Sequence, residues 1–292
     1  MTLVFMGTPD FARASLAALL DMPGQSVAGV FCQPDRAVGR GMKILPCPVK
    51  SLALEHGIPV FQPAKMRDGT TIGHLRGLKP DLIVVVAYGR MLPKEILDLP
   101  PLGCVNIHAS LLPELRGAAP VQWAVARGYE RTGVTAMRMA EECDAGDILL
   151  AKATPVGERE DADSLRGRLR DMGAALLRET VRAIGDGSVK PVPQEHAKAT
   201  YAPMLTKEDG IIDLSRPMIE LDRLVRAVTP WPGAVWNGLR VHRARPAPQG
   251  APKGPQFLTC GDGRVLELLE VQAPGKRRMG AEEFFRGYKG GL

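Results

Sequence analysis

Three features of the 292-residue chain predict an α/β fold in two parts. Strand-like and helix-like patterns alternate from the N-terminus to about residue 187, which implies a mostly parallel sheet covered on both faces. A stretch with few bulky apolar residues, bearing Pro191, Pro193 and Pro203, then interrupts the alternation. Beyond it, short strand-like pieces are divided by Gly and Pro, the pattern of a small β-barrel or sandwich. The predicted organisation is a domain over residues 1–187, a linker over 188–204 and a second domain over 205–292. A prior of about 150 residues per domain also gives two.

The elements read in order as follows. Leu3 to Met6 is a buried strand ending at the turn Gly7-Thr8-Pro9, and Asp10 is placed to cap a helix carrying Phe11, Leu16, Leu19 and Leu20. Val27 to Cys32, Val60-Phe61, Leu82 to Ala87, Val105 to Ile107, Val134 to Met137 and Ile148 to Leu150 are further strands. Helical patterns fall near Ala53, Leu75, Ala124 and over Leu165 to Ile184. In the second part, strands are expected at Ala234 to Trp236, Val241-His242, Phe257 to Cys260 and Val265 to Val271, with a Pro/Gly-rich loop from Pro246 to Pro255.

Composition narrows the function classes. A 45% hydrophobic and 24% charged chain is an ordinary soluble globular protein. Its longest apolar run, Leu82 to Ala87, is strand-sized, far below the ~18 residues that span a bilayer. Five scattered cysteines without a CxxC pair argue against a disulfide framework or structural zinc, and place the chain in a reducing cytoplasm. Met1 leads directly into a strand, so export is not expected. Residues 1–188 hold 22 Lys/Arg against 21 Asp/Glu, and residues 189–292 hold 16 against 11. A basic second part points to a polyanionic partner.

The parallel sheet suggests a Rossmann-like domain, yet the turn after the first strand is Gly7-Thr8-Pro9-Asp10-Phe11, not GxGxxG. It lacks a second glycine to admit a pyrophosphate, and Asp10 would repel one. Gly39-Arg40-Gly41 is not followed by the Lys-Ser/Thr of a P-loop. The five histidines have no metal-ligand spacing, and GxSxG is missing. What remains is Asn106-Ile107-His108 at the C-terminal end of a strand, where open α/β sheets place their sites. Two residues apart, Asn106 and His108 share one face. An amide donor beside an imidazole suits a reaction that develops an oxyanion and moves a proton. A carboxylate is the missing third group, and Asp144 opens the turn before the Ile148 strand.

Here a resemblance enters. Asn106-Ile107-His108-Ala109-Ser110-Leu111-Leu112-Pro113, Arg116-Gly117-Ala118-Ala119-Pro120 and Asp144-Ala145-Gly146-Asp147-Ile148-Leu149 are similar to the signature of enzymes that use 10-formyltetrahydrofolate. Three further segments resemble the methionyl-tRNA formyltransferase family in particular. They are Phe5 to Phe11, the loop from Gln33 to Lys50, and Leu205 to Gly210 with Arg226 to Ala234. Leu214 departs from the family's usual Trp, and Glu114-Leu115 replace a common basic–aromatic pair.

The resemblance implies formyl transfer from 10-formyltetrahydrofolate to the α-amino group of methionyl initiator tRNA, for translation initiation, without a metal. It gives catalytic roles to Asn106, His108 and Asp144, and folate contacts to Ser110, Leu111, Leu112 and Pro113, with a pterin pocket near Tyr88 to Leu92 and Met139 to Asp144. It makes the second domain an OB-like barrel that binds tRNA, aided by the loop residues Arg36, Arg40, Lys43 and Lys50. The expected protein is a cytoplasmic monomer with no membrane partner. The loop and the basic second part argue against a formyl-folate enzyme acting on a sugar nucleotide or hydrolysing its donor. The intact Asn106, His108 and Asp144 argue against a non-catalytic RNA-binding protein.

Overall fold

A computed structural model describes residues 1–38, 43–250 and 254–287. The elements in chain order are β1 (Thr2–Gly7), α1 (Asp10–Leu20), β2 (Ser26–Phe31), β3 (Arg36–Val38), β4 (Lys43–Leu45), α2 (Pro48–Glu55), β5 (Val60–Phe61), α3 (Gly69–Leu78), β6 (Leu82–Val86), α4 (Lys94–Leu97) and β7 (Cys104–His108). They continue with α5 (Pro120–Ala126), β8 (Arg131–Arg138), β9 (Ile148–Pro155), α6 (Ala162–Gly185), α7 (Met218–Ala227), β10 (Ala234–Trp236), β11 (Leu239–Pro246), β12 (Phe257–Thr259), β13 (Val265–Gln272), β14 (Met279–Gly280) and α8 (Ala281–Gly287).

Two compact units result, and they are interleaved along the chain. The first holds Met1–Gly117, Thr132–Thr154 and Arg166–Tyr201; the second holds Ala118–Arg131, Pro155–Leu165 and Ala202–Leu292. The stretch read as a linker is therefore built mostly into the first unit. Val192 exchanges backbone hydrogen bonds with Ile148, and Arg116 bridges to Tyr201 in parallel fashion.

The first unit is a seven-stranded sheet in the order β5-β2-β1-β6-β7-β8-β9. The pairs β5–β2, β2–β1, β1–β6 and β6–β7 are parallel, and β8 runs antiparallel to β7. The order reverses at β1, so β1 and β6 flank a topological switch point, where such sheets bind ligands. β6 is Leu-Ile-Val-Val-Val with every residue buried, as a strand covered on both faces must be. Gly7 closes β1 because a Cβ there would lie 2.6 Å from the Cβ of Ala12 and 2.8 Å from the Val86 carbonyl oxygen. Only glycine lets the helix start so close to the sheet.

Asp10 does not cap α1. Pro9 occupies the cap position, and Asp10 is the first helical residue, its carboxylate 2.8 Å from Nη1 of Arg170 on α6. α3 begins with a side-chain cap, the Asp68 carboxylate accepting from the Thr71 N–H at 2.6 Å. The loop predicted between Gln33 and Lys50 contains a hairpin, with Val38 paired to Lys43 across β3 and β4.

The second unit is an antiparallel sheet in the order β10-β11-β13-β12, with β14 also on β13. Helix α7, which the sequence reading did not anticipate, buries Met218, Leu221, Leu224 and Val225 at helical spacing. They join Val241, Leu266 and Val271 in one core, against which Leu214 and Trp236 also pack. Trp231 is exposed. On α7 itself, Asp222 is buried and takes two hydrogen bonds from Nη1 of Arg159, at 2.7 and 2.8 Å, and two more from Arg226. Among the described residues no helix is long and apolar enough to cross a membrane.

Candidate active site

β7, an interior strand, carries Asn106 and His108 at its C-terminal end. Asn106 lies in register with Val85 of β6 and Met137 of β8, and His108 with Thr135 of β8. The Asn106 side chain is half-buried and makes no hydrogen bond among the described residues. His108 is buried. Its Nε2 lies 2.9 Å from the carbonyl oxygen of Leu115. A carbonyl only accepts, so Nε2 must carry the hydrogen, and Nδ1 is the nitrogen left for chemistry.

Nδ1 faces Asp144, 3.6 Å from Oδ2, with side-chain exposures of 6% for His108 and 12% for Asp144. That separation is too long for a hydrogen bond, so the carboxylate stands beside Nδ1 without engaging it. Asp144 Oδ2 also accepts from the Gly117 N–H at 2.8 Å and from the Cys143 thiol at 3.5 Å. Burial, aided by the neighbouring carboxylate, pushes the Cys143 thiol up to about 11, so it serves Asp144 as a neutral donor.

The turn that presents Asp144 is built by residue type. Asp144 has φ +52°, in the left-handed region that Asp and Asn tolerate better than most residues. Two residues later, a Cβ on Gly146 would lie 1.9 Å from the Arg138 carbonyl oxygen. Backbone sterics thus require glycine at 146 and tolerate Asp at 144.

The loop after His108 ties itself down. The Ser110 hydroxyl donates to the Glu114 carbonyl at 2.6 Å, and the buried Thr135 hydroxyl donates to the Ser110 carbonyl at 2.7 Å. Thr135 in turn accepts from the Leu112 N–H at 3.2 Å. Of the four expected folate contacts, Ser110 and Leu112 are buried, while Leu111 and Pro113 are half-buried. In the expected pterin region, Tyr88 is a core residue whose hydroxyl donates to the Met66 sulfur at 3.2 Å. Burial pushes that phenol up to about 12.

Three residues that sequence reasoning left without a role complete the site. Arg116 is buried, with Nε and Nη2 donating to Gln194 Oε1 at 3.1 and 2.7 Å. Gln194 Nε2 donates to the carbonyls of Asp144 and Gly146. The Thr200 hydroxyl accepts from the Leu115 N–H at 2.9 Å, and so fixes the residue that receives His108 Nε2–H. Gln194 and Thr200 fall in the proline-bearing stretch, where no periodicity marks a buried side chain.

The basic loop divides at its root. Lys50 Nζ is held by Asp35 and, at 2.8 Å, by Gln62 Oε1. Lys50 therefore anchors the loop internally. The hydrogen bonds from Lys50 and then Gln62 hold the Asp35 carboxyl below its ordinary value of 3.8. Arg36 and Lys43 fall on β3 and β4; Arg40, like the side chains of Arg36 and Lys43, lies outside the described residues. Among the described residues no group of three His, Cys, Asp or Glu side chains is arranged to hold a metal ion.

Residues 1–181 match the formyl transferase family and residues 204–289 match the formyl transferase C-terminal domain. The chain belongs to the formyl transferase family. Relatives extend over its whole length. The methionyl-tRNA formyltransferase of Citrifermentans bemidjiense is 46% identical, over 100% of this chain and 96% of the relative. Those of Desulfotalea psychrophila and Bacillus licheniformis are 47% and 45% identical, over 99% and 98% of this chain and 93% and 94% of theirs. Among solved structures, WlaRD, a sugar 3N-formyl transferase crystallised with dTDP and 5-N-formyl-THF, superposes with TM-score 0.70 at 16% identity, covering 95% of this chain and 99% of that one. HypX from Aquifex aeolicus in complex with tetrahydrofolic acid gives 0.64 at 18% identity, over 97% of this chain and 46% of that one. At these identities the likeness is one of fold.

Proposed function

We propose that this formyl transferase moves the formyl group of 10-formyltetrahydrofolate to the α-amino group of methionyl initiator tRNA, as a cytoplasmic monomer. The full-length identity with methionyl-tRNA formyltransferases carries the reading. The site supplies matching chemistry. The amine must be neutral to attack, and attack puts negative charge on the formyl oxygen. Asn106, whose amide has no protein partner among the described residues, donates to that oxygen. His108 Nδ1 is positioned to take the proton released by the attacking amine, and Asp144 stabilises the imidazolium that results. The same proton is then available to the departing folate nitrogen. No covalent enzyme intermediate is needed.

The folate would lie along Ser110 to Pro113. Leu111 and Pro113 offer side-chain surface, while the Ser110 hydroxyl, being committed within the loop, shapes the backbone instead. In the basic loop, Arg36, Arg40 and Lys43 are proposed to meet tRNA phosphates and Lys50 to brace the loop's base. The first unit would carry the chemistry and residues 205–292 the main tRNA platform, with exposed Trp231 placed to stack on a base. The test is mass spectrometry of methionyl-tRNA after incubation with protein and 10-formyltetrahydrofolate. A gain of one formyl group on the aminoacyl moiety is expected. Donor consumption with unmodified methionyl-tRNA would overturn the reading.

A further inference from the structure

We infer that Gln194 is a positioning residue of the formyl-transfer site, an amide that the buried Arg116 guanidinium orients so that it holds the Asp144 turn. The inference rests on the function proposed above, and all the residues involved belong to the first unit.

The Gln194 amide is 5% exposed and fully engaged. Its oxygen accepts from Nε and Nη2 of Arg116, at 3.1 and 2.7 Å. Its nitrogen donates both hydrogens, to the Asp144 carbonyl at 2.9 Å and the Gly146 carbonyl at 2.7 Å. One orientation alone satisfies this geometry. A guanidinium only donates and a carbonyl only accepts, so a rotated amide would set hydrogens against hydrogens and oxygen against two oxygens.

Arg116 is 1% exposed, yet its one acidic partner is Glu142, at 3.4 Å, whose side chain is 63% exposed. Its remaining side-chain partners are neutral acceptors, Gln194 and Nδ1 of His196 at 3.3 Å. A buried cation met mainly by neutral groups stabilises a fold less than apolar packing of the same volume. What this arrangement provides is a rigid amide in one orientation.

The carbonyls it grips flank the strained point of the turn. Asp144 sits at φ +52°, a conformation that persists in a non-glycine residue when its surroundings over-determine it. Gln194 restrains the backbone on either side, and the Gly117 N–H restrains the carboxylate. The carboxylate stands 3.6 Å from His108 Nδ1. A carboxylate stabilises the imidazolium through an N–H···O bond best when the heavy atoms are about 2.7–3.2 Å apart. Rotation of the turn by a few tenths of an ångström therefore decides whether the pair closes. A segment that reads as linker thus sets the distance on which the chemistry depends.

Gln194→Glu separates positioning from mere packing. The volume is kept, and the new carboxylate improves the acceptor for Arg116. The donor facing the Asp144 and Gly146 carbonyls is lost and an oxygen is put against them. We expect a protein that still unfolds cooperatively, at a somewhat lower temperature because two carbonyls lose their donor. Its kcat for methionyl-tRNA formylation should fall by at least about tenfold, while KM for methionyl-tRNA and for the formyl donor stays within about twofold. A purely structural role predicts instead that kcat of the folded protein stays at wild type. That result would overturn the inference, as would a kcat loss that merely tracks the folded fraction.

Amide hydrogen exchange at Ala145 and Gly146 supplies a readout independent of activity. Both should exchange faster in Gln194→Glu and Gln194→Ala than in wild type under conditions where the rest of the sheet is unchanged. Wild-type protein that fails to formylate methionyl-tRNA would overturn the proposed function, and the exchange comparison would still test the hold on the turn. Equal exchange in all three proteins would overturn the inference itself.

Discussion

Two aspartates of this chain are largely withdrawn from water and are treated oppositely. Asp222, 1% exposed, is saturated, with Arg159 donating to both oxygens at 2.7 and 2.8 Å and Arg226 closing the remaining side. Asp144 has its backbone gripped, while its carboxylate keeps a neutral thiol, one backbone N–H and an imidazole 3.6 Å away. A saturated carboxylate cannot exchange protons and serves the core of the second unit. An incompletely satisfied one retains the capacity to answer a charge that appears during a reaction. Hydrogen-bond completeness therefore separates Asp222 from Asp144 where burial and residue type do not, in keeping with the chemical role proposed for Asp144.

The largest expected effect tests that contrast. Asp144→Asn should lower kcat by roughly 10²–10⁴, the range for losing an acid–base group, with the unfolding midpoint in urea close to wild type. Asn106→Ala should cost on the order of 10²–10³ in kcat if the amide serves the oxyanion. A rise confined to KM would make Asn106 a binding residue instead. Asp222→Asn should behave in the opposite way. It should cost about 3 kcal/mol of stability, the low end for a broken buried pair because Arg159 is 46% exposed, and leave kcat near wild type at temperatures where the protein stays folded. If calorimetry finds Asp144→Asn as destabilising as Asp222→Asn, the distinction fails.

A smaller comparison sets the loop residues proposed to meet tRNA phosphates against Lys50, which is held by Asp35 and Gln62. Replacing Arg40 and Lys43 by Ala should lower the salt slope of tRNA binding by about 0.7–0.9 for each phosphate left without its cation, with donor affinity unchanged. Lys50→Met should act through the loop's own stability. The Asp35 carboxyl is held below 3.8, first by its hydrogen bond from Lys50 and then by Gln62. A depressed carboxylate contributes stability that is present above its unfolded value and lost as pH falls through its lower folded value. Limited proteolysis of the loop should therefore accelerate below about pH 4 in wild type. In Lys50→Met it should already be fast at neutral pH, with an effect under about 1 kcal/mol.

Charge distribution illustrates how far a linear reading reaches. Counted along the chain, residues 189–292 hold 16 basic against 11 acidic side chains. Counted by compact unit, the first holds 21 against 17 and the second 17 against 15. The excess moves because Pro155–Leu165, which carries four acidic residues and one arginine, folds into the second unit, and Lys190 and Lys198 fold into the first. Within the second unit, Arg216, Arg226, Arg245, Arg278 and Arg286 are also paired with carboxylates. A polyanion would meet local patches rather than a uniformly basic domain. The interleaving has a second consequence, because a chain cut near Ser188 would lose Gln194 and Thr200 and would keep Ala118–Arg131 and Pro155–Leu165 without the rest of their unit.

The amino-acid sequence by itself determined the parallel sheet, since runs such as Leu82 to Val86 can be buried only on both faces. It also singled out the residues proposed for the reaction. Asn106 and His108 stand two apart on one strand, and Asp144 precedes a glycine that sterics demand. These are local relations, written in spacing and residue type. What the tertiary structure alone decided is non-local. It chose which imidazole nitrogen faces Asp144, through the Leu115 carbonyl, itself anchored by Thr200 from 85 residues away. It folded a proline-rich stretch against the turn, so that Gln194 reaches back 50 residues to the Asp144 carbonyl. It turned Lys50 inward, to Asp35 and Gln62. A lone Gln, Thr or Lys carries no periodicity and reads as solvated surface. Its role appears only once chain closure sets a buried guanidinium, a strained turn or a carboxylate opposite it, because a hydrogen bond requires a partner within about 3 Å and sequence separation does not encode that distance.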